Sequence, residues 1–146
     1  MKSKMVFMML TMLTGPGIAT AAGYDLAGSE YNLSLNELNQ VANIDQRGNN
    51  NNALINQNGS KLTGVISQQG GRNSSQVNQS GSDNFAYIAQ AGNANQANIT
   101  QGAYGNSAVI LQKGSGNRAD IMQYGTQKTA VVVQRQSQMA IRVIQR

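Results

Sequence analysis

A chain of 146 residues with 5% aromatic residues and no tryptophan is one domain's worth of sequence with little from which to build a conventional globular core. It has no cysteine and no histidine, which excludes disulfides, thiol chemistry and zinc sites of the usual kind. The formal charge is +5, and from Lys113 onward the bases Lys113, Arg118, Lys128, Arg135, Arg142 and Arg146 face Asp120 alone, so the C-terminal end is the basic end.

At the N-terminus, Lys2 and Lys4 precede the apolar run Met5 to Leu13, Gly15-Pro16-Gly17 breaks it, and Ala19-Thr20-Ala21 supplies small residues for cleavage. That is the order of a secretory signal peptide, and the run is far short of the ~20 apolar residues of a membrane-spanning helix. Residues 1–21 are therefore predicted to be removed, leaving a chain that starts at or near Ala22. Residues 22–40 follow as a leader with Tyr24, Leu26, Tyr31, Leu33, Leu35 and Leu38. Ser34 and Glu37 have capping-box spacing while Leu33 and Leu35 alternate as in a strand, so its secondary structure stays open. It is a candidate recognition segment.

From residue 41 one pattern recurs every eleven residues without insertion or deletion. A branched residue stands at Ile44, Ile55, Ile66, Val77, Ile88, Ile99, Ile110, Ile121, Val132 and Val143. Two places after each is a glutamine: Gln46, Gln57, Gln68, Gln79, Gln90, Gln101, Gln112, Gln123, Gln134 and Gln145. Two places before it is a small residue in nine of ten copies, Ile141 being the exception, and four places after it is glycine in seven. The abundant asparagine, glutamine, glycine and serine would by composition read as a disordered polar tract, but disorder has no reason to keep these classes in phase. An eleven-residue period can also mark a right-handed helical supercoil. Here the patterned positions lie two apart (Ala86, Ile88, Gln90), which shares a face on a strand and scatters around a helix.

Each unit therefore reads as a short strand followed by a turn. Stretches such as Gly92-Asn93-Ala94-Asn95 and Gly114-Ser115-Gly116-Asn117 accept left-handed backbone. Two units make one rung, and the fold class predicted is all-β: a β-solenoid, or cross-β column, of five strand-turn-strand rungs at 41–62, 63–84, 85–106, 107–128 and 129–146. The branched residues would meet across a narrow core and the glutamines would stack into ladders along the axis at ~4.8 Å per rung. A lone rung cannot persist. Ordering some twenty residues costs on the order of 20 to 40 kcal/mol, against ~1.5 to 3 for each branched side chain buried. Such a column has two open edges of unpaired backbone groups, which invite another chain to add on.

The repeat Ala42-Asn43-Ile44-Asp45-Gln46-Arg47-Gly48 with Asn51 resembles the curlin repeat of bacterial functional amyloid. From the signal through Gly23-Tyr24-Asp25-Leu26 to Gln134-Arg135-Gln136-Ser137-Gln138-Met139-Ala140-Ile141-Arg142, the whole chain resembles the minor-subunit, nucleator branch of the curli family of enteric bacteria. The resemblance implies export through a dedicated outer-membrane curli secretion channel with accessory assembly factors, and association with the outer cell surface as an extracellular fimbrium. It further implies self-association and templating of the major curlin subunit into fibres for adhesion and biofilm, with residues 22–40 as the export tag. Neither a cofactor nor a metal is implied. One departure is that the major subunit's repeats tend to begin with serine, where this chain has Leu62, Asn84, Asn106 and Lys128.

The fifth rung departs furthest. Gln136 replaces glycine, Met139 replaces asparagine, Ile141 replaces the small residue, and the strand Ala130-Val131-Val132-Val133 is apolar on both faces. Lys128, Arg135, Arg142 and Arg146 fall there, and are candidates for attachment to an anionic outer surface, with plain solubility control as the alternative. An ice-binding or other non-assembling surface solenoid is the rival reading, but outward positions vary from Asp45 and Asn56 to Ala89, Leu111 and Val133 rather than forming a threonine-like grid. An enzyme is not expected, since Asp45, Asp83 and Asp120 occupy different repeat positions and form no carboxylate pair. Nucleic-acid binding is not expected either, because the basic end lacks an aromatic platform.

Overall fold

The computed structural model describes residues 4–7, 17–20 and 40–146. Twelve strands run in chain order: β1 (Lys4–Phe7), β2 (Gly17–Thr20), β3 (Gln40–Asn49), β4 (Asn52–Ser60), β5 (Leu62–Gly71), β6 (Ser74–Ser82), β7 (Phe85–Asn93), β8 (Gln96–Gln101), β9 (Ser107–Ser115), β10 (Arg118–Gln123), β11 (Thr129–Gln134) and β12 (Ala140–Gln145). They form two six-stranded sheets, β1-β3-β5-β7-β9-β11 and β12-β10-β8-β6-β4-β2. Consecutive strands from β3 onward alternate between the sheets, so β3 and β4 make the first rung and β11 and β12 the fifth. This is the β-solenoid of five turns.

Stacking between rungs is parallel and in register. Ile44 faces Ile66, Ile66 faces Ile88, and Ile110 faces Val132 in the first sheet. In the second, Ile55 faces Val77, Val77 faces Ile99, and Ile121 faces both Ile99 and Val143. Two strands do not belong to a rung. β1 and β2 lie antiparallel on the outer edges of β3 and β4, with Phe7 opposite Ile44 and Ala19 opposite Ile55. Both fall within the stretch read as a signal peptide. The cleavage region after Ala21 and the leader, except for Gln40, lie outside the described residues.

The core is the narrow seam between the sheets. Ile66, Val77, Ile88, Ile99, Ile110 and Ile121 are completely buried, with Ala86, Ala108 and Ala119 equally so beside them. Alternation of burial along each strand follows from the two-residue period of the side chains. Small residues stand there because the sheets approach closely, Ser75 included, whose hydroxyl bonds Gln68 and Gln90. A β-carbon added at Gly64 would stand 2.9 Å from the Ile55 side chain.

The turns from Gly48 to Gly116 are left-handed at two positions per unit, those at Gln127 and Gln138 at the second alone, and the second was not visible in the sequence. The first is the repeat glycine, as at Gly70 (φ 114°) and Gly92 (φ 120°). The second follows two residues later and is usually not glycine: Lys61 (φ 53°), Arg72 (φ 57°), Asp83 (φ 55°) and Ala94 (φ 55°). Left-handed backbone costs such residues roughly 1–2 kcal/mol each. Stacking offsets that cost from the second rung on, with Arg72 N–H donating to the Asn49 carbonyl at 3.0 Å, Asp83 N–H to that of Ser60 at 3.1 Å and Ala94 N–H to that of Gly71 at 3.0 Å.

Where glycines of successive rungs stack on one another, the first position has no room for a side chain. A β-carbon on Gly48, Gly70 or Gly92 would stand 1.9 to 2.0 Å from the carbonyl oxygen of the next rung's glycine. The strands shorten toward the C-terminal end, at β8 and β11 where Ala103 and Gln136 stand in that place and equally at β10 where Gly125 does. β8 and β11 each have six residues, against nine in β6 and β9.

Candidate assembly surfaces

The glutamines form two continuous ladders. In the first sheet Gln46 Nε2 donates to Gln68 Oε1 at 2.7 Å, Gln68 to Gln90 at 2.9 Å, Gln90 to Gln112 at 2.8 Å, and Gln112 to Gln134 at 2.7 Å. In the second, Gln57 donates to Gln79, Gln79 to Gln101 and Gln101 to Gln123, each at 2.9 Å, and Gln123 to Gln145 at 2.8 Å. The remaining proton of each interior carboxamide goes across the seam to a backbone carbonyl, as from Gln101 to Phe85 at 2.9 Å. Every donor is thus used inside the stack. All side-chain steps point the same way, so the ladder is polar along the axis.

Asparagines make a second kind of ladder at the arcs, running in the opposite sense. Asn73, Asn95 and Asn117 each donate a backbone N–H to the carboxamide oxygen one rung earlier, at 3.0 to 3.1 Å. The other column starts at fully buried Leu62, continues through Asn84 and Asn106, and ends where Lys128 N–H reaches Asn106 Oδ1 at 3.0 Å.

The C-terminal end of the column is where this grammar lapses. Lys128 and Met139 occupy the asparagine positions and offer no carboxamide to a further rung. Gln134 turns its second N–H onto the Met139 carbonyl at 3.1 Å instead of leaving it for a neighbour. Among the described residues, β11 and β12 have no strand on their outer side. That edge therefore offers two six-residue strands, with Val132 and the half-buried Val143 behind them, but not the arcs that joined the earlier rungs.

Lys128, Arg135, Arg142 and Arg146 all lie at the last rung but do not share a face. Arg135 follows β11 on the outside of the first sheet. Arg142 is on the outside of the second, with Nη2 3.6 Å from Met122 Sδ. Arg146 ends the chain beside Gly125, and Lys128 is half-buried in an arc. They ring the end of the column.

The sequence pattern missed what accompanies Arg135. On the outer face of the first sheet the register brings Ser67, Ala89, Leu111 and Val133 into one row, and Val65, Tyr87, Val109 and Val131 into the next. Reading outward positions at intervals of twenty-two residues rather than eleven would have found both rows. The second sheet's outer face is mostly polar, with Gln76 facing Asn98, Asn98 facing Asp120, and an Arg118–Asp120 pair at 3.4 Å. Among the described residues no group of three acidic, histidine or cysteine side chains comes together as a metal would require.

A family model described as the curlin associated repeat matches residues 42–70, 62–92 and 92–125, more than half of the chain. The chain is also similar to the minor curlin subunit of Escherichia coli, 64% identical over 58 residues, which covers 36% of this chain and 38% of that protein. It is similar to the minor curlin subunit of Salmonella typhimurium at 65% over 58 residues, with the same two shares. The match thus spans well under two thirds of the length of these relatives. No solved structure matches. With its eleven-residue unit, in-register stacking and glutamine ladders, the chain belongs to the curlin-repeat family.

Proposed function

We propose that this chain is the nucleating subunit of an extracellular functional amyloid of the curli type, in which its stacked rungs template polymerisation of a major curlin subunit at the cell surface. The observation that carries this reading is the free edge of β11 and β12. It follows four rungs of unbroken parallel register, and a second chain with the same period can continue the backbone pairing there. A preformed stack removes the nucleation cost that an isolated rung cannot meet. Removal of residues 1–21 would also free the edges of β3 and β4 that β1 and β2 hold.

On this reading the protein is structural, not catalytic. Residues 22–40 serve as the tag for a curli secretion channel and its accessory factors, the product is a surface-associated fimbrium for adhesion and biofilm, and Lys128, Arg135, Arg142 and Arg146 attach it to an anionic outer surface. The test is seeding: the purified chain, added at low molar ratio to a monomeric major curlin subunit, shortens the lag before β-rich fibres appear. An unchanged lag, with no fibres formed by the chain itself, would reject templating. Deleting 129–146 is expected to release fibres from cells, and undiminished attachment would reject anchoring at the last rung.

A further inference from the structure

The outer face of the first sheet changes character along the axis. On β3 it carries the Asp45–Arg47 pair at 3.3 Å. By β9 and β11 it is apolar, with Leu111 37%, Val133 44% and Val131 60% exposed, and Phe85 on β7 adds to the patch. A groove of about 460 Å³ runs up this face, floored by Ala89 and Ala91 and walled by Leu111, Val133, Lys113 and Arg135. No outward residue of β5, β7, β9 or β11 is acidic. A second copy laid parallel and in register on the face would bring Lys113 and Arg135 against their own counterparts, with the acid of this face, Asp45, already paired to Arg47 on the first rung.

We propose that this face lies on an anionic lipid bilayer. Val131, Val133 and Leu111 sit at the boundary of the acyl chains, and Lys113 and Arg135 engage phosphate-bearing headgroups. The arrangement rests on the surface-attachment reading above and gives it an orientation: the column axis runs parallel to the membrane. Side-on attachment has a consequence that attachment through the ring of last-rung cations lacks, for it leaves the β11 and β12 edge in water, free to pair.

The experiment is co-sedimentation of the full chain, kept monomeric by fresh desalting, with vesicles of phosphatidylcholine alone or mixed with phosphatidylglycerol. The wild type is expected to bind the mixed vesicles and not the neutral ones. Lys113→Gln with Arg135→Gln is expected to weaken binding roughly 10- to 30-fold at low salt. Val131→Ser with Val133→Ser weakens it about tenfold even where salt has screened the charges. Arg72→Gln with Arg118→Gln, cations outside both this face and the last-rung ring, has an effect of less than about threefold, and Arg142→Gln with Arg146→Gln tests attachment through that ring. Circular dichroism reports whether each variant keeps its β-structure, and the charge pair tests the face if the valine pair unfolds. If the Arg142 and Arg146 pair abolishes binding while the face variants do not, the side-on orientation is overturned and attachment at the last rung stands. If the wild type ignores anionic vesicles, both fall. If the valine pair instead abolishes a dimer seen by sedimentation equilibrium, the face is a contact between copies and the proposal is overturned.

Discussion

Replacing Gln101 by leucine keeps side-chain size and removes only the carboxamide. Gln101 is 1% exposed, accepts from Gln79 Nε2 at 2.9 Å, and donates to the Phe85 carbonyl and to Gln123 Oε1 at 2.9 Å each. The substitution leaves three groups without their partner, each costing about 1–3 kcal/mol when no water can reach it. Leucine returns at most ~2 kcal/mol of apolar burial. The net loss is on the order of 1–7 kcal/mol, the middle of which lowers a guanidinium midpoint by roughly 1 M for a chain of this size. Gln145→Leu is the matched control. Gln145 accepts from Gln123 at 2.8 Å and donates to Thr129 at 3.1 Å, but it is half-buried at the open end, where water replaces the lost bonds. Its cost is expected to stay below ~1 kcal/mol. Both are measured by unfolding the monomeric chain in guanidinium with far-ultraviolet circular dichroism. Equal midpoints for the two variants would refute the claim that interior ladder bonds stabilise the stack.

Other substitutions probe the arcs and the seam. Gly70→Ala would set a β-carbon 2.0 Å from the Gly92 carbonyl oxygen at a φ of 114°, and is expected to cost several kcal/mol by opening the rungs. Gly102→Ala meets nothing closer than 3.7 Å and should be nearly neutral, so the two thermal midpoints must separate. Ile99→Ala in the completely buried seam is expected to cost about 2–5 kcal/mol, and Val143→Ala at the half-buried end much less, as read from the same denaturation curves. Asp83→Asn removes an exposed 4.0 Å pair with Lys61 and should shift stability by no more than ~0.5 kcal/mol.

The interior was the legible part of this molecule. Small, branched and glutamine residues two apart and eleven to the unit leave a column as the arrangement that puts them all on one buried line, and Ile66, Gln68, Ile88 and Gln90 lie on it. The outer faces were not legible at the same period. Alternate units belong to different sheets, so Ala89, Leu111 and Val133 become neighbours only when every second copy is set aside. The left-handed residues Arg72, Asp83 and Ala94 gave no signal, because their amides are held by hydrogen bonds to another rung and not by their own preference. The inward turn of the Gln134 amide was hidden for a related reason. It accompanies the edge position of β11 among the described residues, and no local residue announces it.

The central claim is that residues twenty-two apart stand side by side through the whole stack, since templating, ladders and faces all derive from it. The chain has no cysteine, so a pair can be placed at will. Ser67 and Ala89 face each other on adjacent rungs, where neighbouring strands lie ~4.8 Å apart, within the range a disulfide spans. Under mild oxidation of dilute chain, Ser67→Cys with Ala89→Cys is expected to close an intramolecular disulfide readily. Ser67→Cys with Asn78→Cys, eleven apart and on opposite sheets, is expected not to close. Equal closure of the two pairs, or closure only of the second, would contradict the account.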